Sequence, residues 1–305
     1  MITRREVLKM PAVVIAARQS ALPSGACDCH IHVIGDSAKF PFVPERVYTP
    51  EPATASASAA FHRSLGTTRT VVVTPSVYGS NNACTLDALA TLGASARGVA
   101  VIDDKTTAAA MQDMERAGIR GIRINLETAG QTDPAIGRAR LQAAIDRLRG
   151  SRWHIQLFTR PSVIAGIADL VEAAPMPIVF DHFGGAQAAA GMNQPGFDAL
   201  LRVVKSGRAY VKISGAYRVS TQAPDYPDVR PMAEALIAAN PDRILWGTDW
   251  PHVDSAVVPG RSATTVVPHL KIDDAGLLRQ LFVWTPDAAT RRKILVDNPA
   301  RLYGF

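Results

Sequence analysis

The sequence predicts a (β/α)8 TIM barrel, and three observations carry the prediction. From residue 26 onward, eight short apolar runs rich in Val and Ile alternate with helix-like segments. The 280 residues from 26 to 305 match the roughly 250 that such a barrel needs. Polar residues with chemical capacity gather at the C-terminal ends of the runs, where a barrel carries its chemistry. A doubly wound sheet shares the alternation, but no Gly-x-Gly-x-x-Gly follows the first run, so its usual nucleotide site has no support.

The strands are expected at 26–34, 70–76, 98–103, 119–126, 154–159, 178–183, 209–215 and 244–249. Short Val- and Ile-rich runs suit strands buried on both faces. Helices are expected at 56–65, at 85–92 behind a Thr85 cap, and at 106–117, ending before Gly118. The next spans 133–149, with Pro134 in the first turn and Gly150 after the last. Segments 161–173, 196–205, 228–239 and 274–284 complete the alternation, and a helix at 286–296 closes the chain.

The composition, 47% hydrophobic and 20% charged, is that of a folded protein. No apolar run reaches the ~18 residues of a membrane span, so insertion is not expected. Three cysteines are too few for a disulfide scaffold. Half of the net charge of +6 falls on residues 1–26, where Arg4, Arg5, Lys9 and Arg18 outnumber Glu6. No basic run with interleaved aromatics exists, which argues against a nucleic-acid partner. Scattered arginines suit a small acidic ligand. The pair Arg4-Arg5, the apolar stretch 11–17 and the small residues up to 26 resemble a twin-arginine export signal. A working signal makes the protein periplasmic, and a plain disordered basic terminus leaves it cytoplasmic. Residues 1–25 are therefore set apart from a single barrel domain at 26–305. A homo-oligomer is left open.

Alternation along the first strand puts His30 and His32 on one face, together with Asp28, and turns Cys27, Cys29 and Ile31 toward the helices. Buried, inert thiols are the expected reading of the two cysteines, and Asp28 is expected to orient its neighbours. The second strand ends at Ser76. The fourth carries Arg120, Arg123 and Asn125, the fifth His154 and Gln156. The sixth ends Asp181-His182, the seventh leads to Tyr217-Arg218, and the eighth ends Thr248-Asp249-Trp250-Pro251-His252. His30, His32, His182 and Asp249 would converge on one barrel mouth. His154 starts its strand and belongs at the opposite end. His252 reads as a loop residue, His62 and His269 as surface.

Four motifs in order, Asp28-Cys-His-Ile-His-Val33, Arg120-Gly-Ile-Arg-Ile-Asn125, Val179-Phe-Asp-His182 and Trp246-Gly-Thr-Asp-Trp-Pro-His252, resemble the amidohydrolase superfamily, family 2. The nearest branch is that of 2-pyrone-4,6-dicarboxylate lactonase and related lactone hydrolases of aromatic catabolism. The ending Asp297-Asn-Pro-Ala-Arg-Leu-Tyr303 fits as well. The resemblance implies hydrolysis of a small acidic lactone. Asp249 would act as general base, His30, His32 and His182 would polarise the carbonyl, and Tyr48, Ser76, Arg123 and Arg218 would contact the anionic substrate. Two positions depart from the branch. The stretch Leu126-Glu-Thr-Ala-Gly130 lacks an arginine, and Phe158 stands in place of a tyrosine. A muconolactone or sugar-acid lactone therefore fits better than the pyrone dicarboxylate.

A binuclear metal centre needs a bridging lysine or acid on the fourth strand, which offers Arg120 and Arg123. Lys212 lies mid-strand. The branch implies catalysis without metal; a single zinc, if bound, is expected on His30, His32 and Asp249. Two other readings compete: a metal-dependent decarboxylase of an aromatic or unsaturated acid, and a non-catalytic ligand-binding barrel.

Overall fold

The computed structural model describes residues 22–305, so most of the segment read as a signal lies outside the described residues. Eight parallel strands follow one another around a single sheet in chain order. They are β1 (Cys27–Ile31), β2 (Arg69–Val73), β3 (Ala96–Ala100), β4 (Ile119–Asn125), β5 (His154–Phe158), β6 (Ile178–Phe180), β7 (Ala209–Ser214) and β8 (Ile244–Gly247). The helices between and after them are α1 (Ala55–Leu65), α2 (Ala83–Leu92), α3 (Ala108–Arg116), α4 (Pro134–Arg147), α5 (Pro161–Ala173), α6 (Phe197–Lys205), α7 (Arg230–Ala239) and α8 (Asp274–Trp284).

Local chemistry sets the starts of several helices. Thr54, Thr107, Asp133 and Asp273 each accept a backbone N–H of the first turn through a side-chain oxygen. Thr85 does not cap α2 as expected. The helix starts two residues earlier, and the Thr85 hydroxyl pairs with that of Thr74 at 2.7 Å. The expected closing helix at 286–296 is three pieces: Ala288–Arg292, a π turn at Lys293–Asp297, and Asn298–Tyr303.

The barrel closes where β1 meets the residues after β8. The Asp249 N–H donates to the His30 carbonyl at 2.9 Å, and the His32 N–H donates to the Trp250 carbonyl at 2.7 Å. The buried Asp28 carboxylate holds the same seam. It accepts the Thr248 N–H at 3.0 Å, the Thr248 hydroxyl at 2.6 Å and the His30 N–H at 3.2 Å. His62 of α1 lies 3.4 Å from it and is buried, not on the surface as expected; His269 is half-buried. Gly247 is required here, because a Cβ would come within 2.7 Å of the His30 nitrogen.

Two side-chain layers follow from the strand register. Ile31, Val72, Ile122, Ile155, Phe180 and Trp246 pack outward with the helices in the main core. Cys27, Cys29, Val71, Val99, Leu245 and Tyr303 form a second cluster, which fills the interior. This corrects the expected outward direction of the two cysteines. The register slips between Asp28 and Ile31, where three residues of β1 span two of β2. The extra residue breaks simple alternation. Cys29 and His30 thereby both serve the interior, while Asp28 turns to the seam. Both thiols are free and buried, and burial raises that of Cys27.

Candidate active site

The four expected catalytic side chains meet at the C-terminal mouth. Asp249 follows β8 in a left-handed conformation, φ +69°, and His182 follows β6 at φ +46°. Non-glycine residues in this region carry a conformational cost that their surroundings must impose. For Asp249 the surroundings include the seam bond to His30 and a bond from the His252 N–H to its carbonyl at 2.9 Å. The result sets one carboxylate among three imidazoles. Asp249 Oδ1 lies 3.6 Å from His30 Nε2, 3.6 Å from His32 Nε2 and 3.9 Å from His182 Nε2.

The two Asp249 oxygens are used differently. Oδ2 accepts from the Tyr217 hydroxyl at 2.6 Å and from Arg218 Nε. Oδ1 has no hydrogen-bond donor although it is fully buried. Burial opposes ionisation, but the Arg218 charge, with the imidazoles beside it, holds the carboxyl well below the usual carboxylate range. Arg218, expected as a substrate contact, is therefore also the anchor of the base. Tyr217, read with Arg218 as a polar pair after strand seven but given no role there, is a second anchor of the base.

Hydrogen-bond partners assign the histidine tautomers. His32 Nδ1 lies 2.8 Å from the Val73 carbonyl, which only accepts. His182 Nδ1 lies 3.3 Å from the Ser214 carbonyl and 3.0 Å from its hydroxyl. Both rings thus carry their proton on Nδ1 and present an unprotonated Nε2 to Asp249. Burial lowers both rings to about 4, so they are neutral near pH 7. His30 Nδ1 sits between an acceptor, Asp181 Oδ1 at 3.2 Å, and a donor, Lys212 Nζ at 3.3 Å. Of the three rings, His30 is the one whose partners permit an Nε2–H. A neutral imidazole polarises a carbonyl only by donating N–H, so His32 and His182 are acceptors in this arrangement.

Beneath the mouth lies an ionic layer that sequence reasoning missed. Asp181 accepts from Arg123 Nε and Gln156 Nε2, each at 3.0 Å, and lies 3.4 Å from Lys212 Nζ. Lys212 donates to Gln156 Oε1 at 2.6 Å. Burial pushes the Asp181 carboxyl up, and Lys212, His30 and Arg123 more than offset this. The available signal was a charged residue inside each of two otherwise apolar runs, at positions facing the interior.

The expected substrate contacts are also together. Tyr48, Ser76, Arg123 and Arg218, with His32 and His182, line a narrow cavity of about 20 Å³ beside the carboxylate. Tyr48 and Ser76 share a hydrogen bond at 3.2 Å. Arg123 lies over the Phe158 ring, 5.1 Å from its centre. Arg120 is not at the mouth; it donates to the carbonyls of Glu115 and Ile119, each at 2.8 Å. His252 is held by Asp274 at 2.9 Å, as befits a loop residue.

The donors fit one divalent cation. His30, His182 and Asp249 offer ligand atoms within 4.8 Å of one another, and His30 Nε2 and Asp249 Oδ1 lack hydrogen-bond partners. This set differs from the expected one by His182 in place of His32.

Comparison with known proteins agrees with the geometry. The amidohydrolase family pattern matches residues 27–305. The chain is 36% identical over 289 residues to a 4-sulfomuconolactone hydrolase of Rhizobium radiobacter, covering 93% of this chain and 91% of the relative. It is 33% identical over 297 residues to a 2-pyrone-4,6-dicarboxylate hydrolase of Comamonas testosteroni, covering 93% and 92%. An apo crystal structure from Agrobacterium tumefaciens superposes with a TM-score of 0.77 at 26% identity, covering 94% of this chain and 98% of that one. From its first barrel strand to its last residue, the chain belongs to the amidohydrolase family.

Proposed function

We propose that the protein is a lactonase that hydrolyses a lactone bearing a carboxylate. One observation carries the reading: Asp249 Oδ1 is a buried carboxylate oxygen without a donor, ringed by imidazole nitrogens and roofed by a cavity with two arginines. The relatives' activities on muconolactone and pyrone lactones support it. Asp249 Oδ1 takes a proton from water, and the water oxygen attacks the lactone carbonyl carbon. The ring C–O bond then breaks, and the proton passes from Asp249 to the departing ring oxygen. Arg123 and Arg218 keep Nε on Asp181 and Asp249, and the terminal N–H groups of Arg218, held only by long 3.5 Å contacts to Ser255 and the Val253 carbonyl, are free to turn with those of Arg123 to the substrate carboxylate. Tyr217 and Arg218 fix the angle of the base.

A carboxylate held this far down is a weak base, since general bases work best near the operating pH. A divalent cation on His30, His182 and Asp249 would supply carbonyl polarisation and a more acidic water. The test is a panel of muconolactones, a pyrone dicarboxylate and sugar-acid lactones, with metal content and thermal midpoint read before and after chelation. Ring opening of a carboxylated lactone supports the reading. Loss of CO2 from an unsaturated acid without ring opening replaces it with the decarboxylase, and binding without turnover with the ligand-binding barrel. A thermal midpoint unmoved by chelation, with turnover intact, removes the cation.

A further inference from the structure

The reaction cavity opens into a second chamber whose chemistry differs from its own. The outer chamber, open to solvent on one side, has a volume of about 660 Å³ and shares Thr128, Phe158, His182, Arg218, Val253 and Ser255 with the inner cavity. Beyond those residues its lining includes Val47, Ala129, Val219, Ala256, Val257 and Leu270. Its two acids are already matched. Glu127 takes a bidentate pair from Arg160 with a shortest contact of 2.7 Å, and Asp254 takes Arg261 at 2.9 Å. Outside the shared Arg218, the chamber's lining contains no arginine or lysine. Val47, Val257 and Leu270 are also among the large apolar side chains most open to solvent, with Val257 76% exposed. Such residues, grouped on the rim of a cavity that continues a reaction site, mark a place where an apolar group docks.

We propose that the substrate carries its anionic group in the inner cavity and an apolar substituent, alkyl or aryl, in the outer chamber. The substrate class is thus a monocarboxylated lactone with an apolar arm. This rests on the lactonase reading above and narrows it. The inner cavity carries the two arginines that a carboxylate needs, Arg123 and Arg218. A second carboxylate on the arm would find no lysine or arginine beyond the shared Arg218 and would lie near the acids Glu127 and Asp254. An apolar arm meets surface that is otherwise exposed to water.

The test is a series of monocarboxylated γ-lactones with hydrogen, butyl, phenyl or carboxymethyl on one ring carbon. The expected result is a kcat/KM for the butyl or phenyl compound about tenfold or more above that of the unsubstituted one, with carboxymethyl lowest, since the arm leaves water for apolar surface. Val257→Asp at the exposed rim should bring the butyl-to-hydrogen ratio down toward one. A wild-type ratio at or below one, or a preference for carboxymethyl, overturns the proposal. A shift from dimer to monomer in Val257→Asp, read by sedimentation, assigns the rim to a second copy and also overturns it. Binding of the ring-opened hydroxy acids by calorimetry separates the two levels. If no lactone is opened, the lactonase reading fails, yet tighter binding of the butyl acid than of the unsubstituted acid still supports the apolar chamber, and equal binding removes it.

Discussion

The two ends of the barrel bury the same residue type for opposite purposes. At the mouth, three histidines aim Nε2 at one carboxylate oxygen. At the base, neither ring nitrogen of His154 of β5 has a hydrogen-bond partner. Its ring meets the edge of Tyr303 at 5.2 Å and fills the space over Gly121 of β4, where a Cβ would come within 2.4 Å. Burial lowers His154 to about 3, further than His32 or His182. A displaced histidine pKa therefore does not mark function in this molecule. What separates the ends is the carboxylate: the mouth has one with an oxygen to spare within 4 Å of three rings, and His154 pairs with none.

Asp249→Asn should have the largest effect, lowering kcat about a thousandfold while circular dichroism and ligand binding persist. Near-normal turnover would erase the distinction between mouth and base. Asp28→Ala should come next, removing about 3 kcal/mol of stability in urea unfolding because the buried Thr248 N–H loses its acceptor. If stability is unchanged, the seam is held by its backbone bonds alone. Arg123→Met should raise KM for carboxylated lactones about 10- to 100-fold and leave neutral lactones far less affected. An equal loss on neutral lactones would break the carboxylate clamp.

His154→Phe should have the smallest effect on catalysis, with kcat/KM within about twofold of wild type, because the ring reaches no reacting group. Its signature is in acid. The unfolded chain protonates His154 below about pH 6.5, whereas the folded chain resists until about pH 3. Unfolding therefore takes up a proton in that window, and stability present above pH 6.5 is lost as pH falls toward 3. The variant should lose less stability than wild type between pH 7 and 4. An identical acid profile would mean that the ring is accessible to protons in the folded state.

Much of this contrast was legible in the sequence, because height along a strand is written in residue order. His154 opens β5 and His182 follows β6, so their opposite ends could be read directly. Asp249 and Arg218 were found the same way. The cysteines were misread because alternation assumes an unbroken pleat, and the slip between Asp28 and Ile31 leaves no composition signal. Lys212 was passed over because its partners, Asp181 just after β6 and Gln156 on β5, lie 31 and 56 residues away in the chain. A buried charge explains itself only when its counter-charge is in view. The tautomers needed the carbonyls of Val73 and Ser214, which carry no sequence information at all.

The seam also governs when the molecule becomes competent. His30 and His32 leave the ribosome early, but Asp249, with the Thr248 that Asp28 grips, emerges only after all eight strands have been made. The base and the two histidines of β1 lie far apart in the chain and meet only when the ring of strands shuts. A nascent chain is therefore silent toward substrate, however well its first strands have folded, and activity arrives in a single late event.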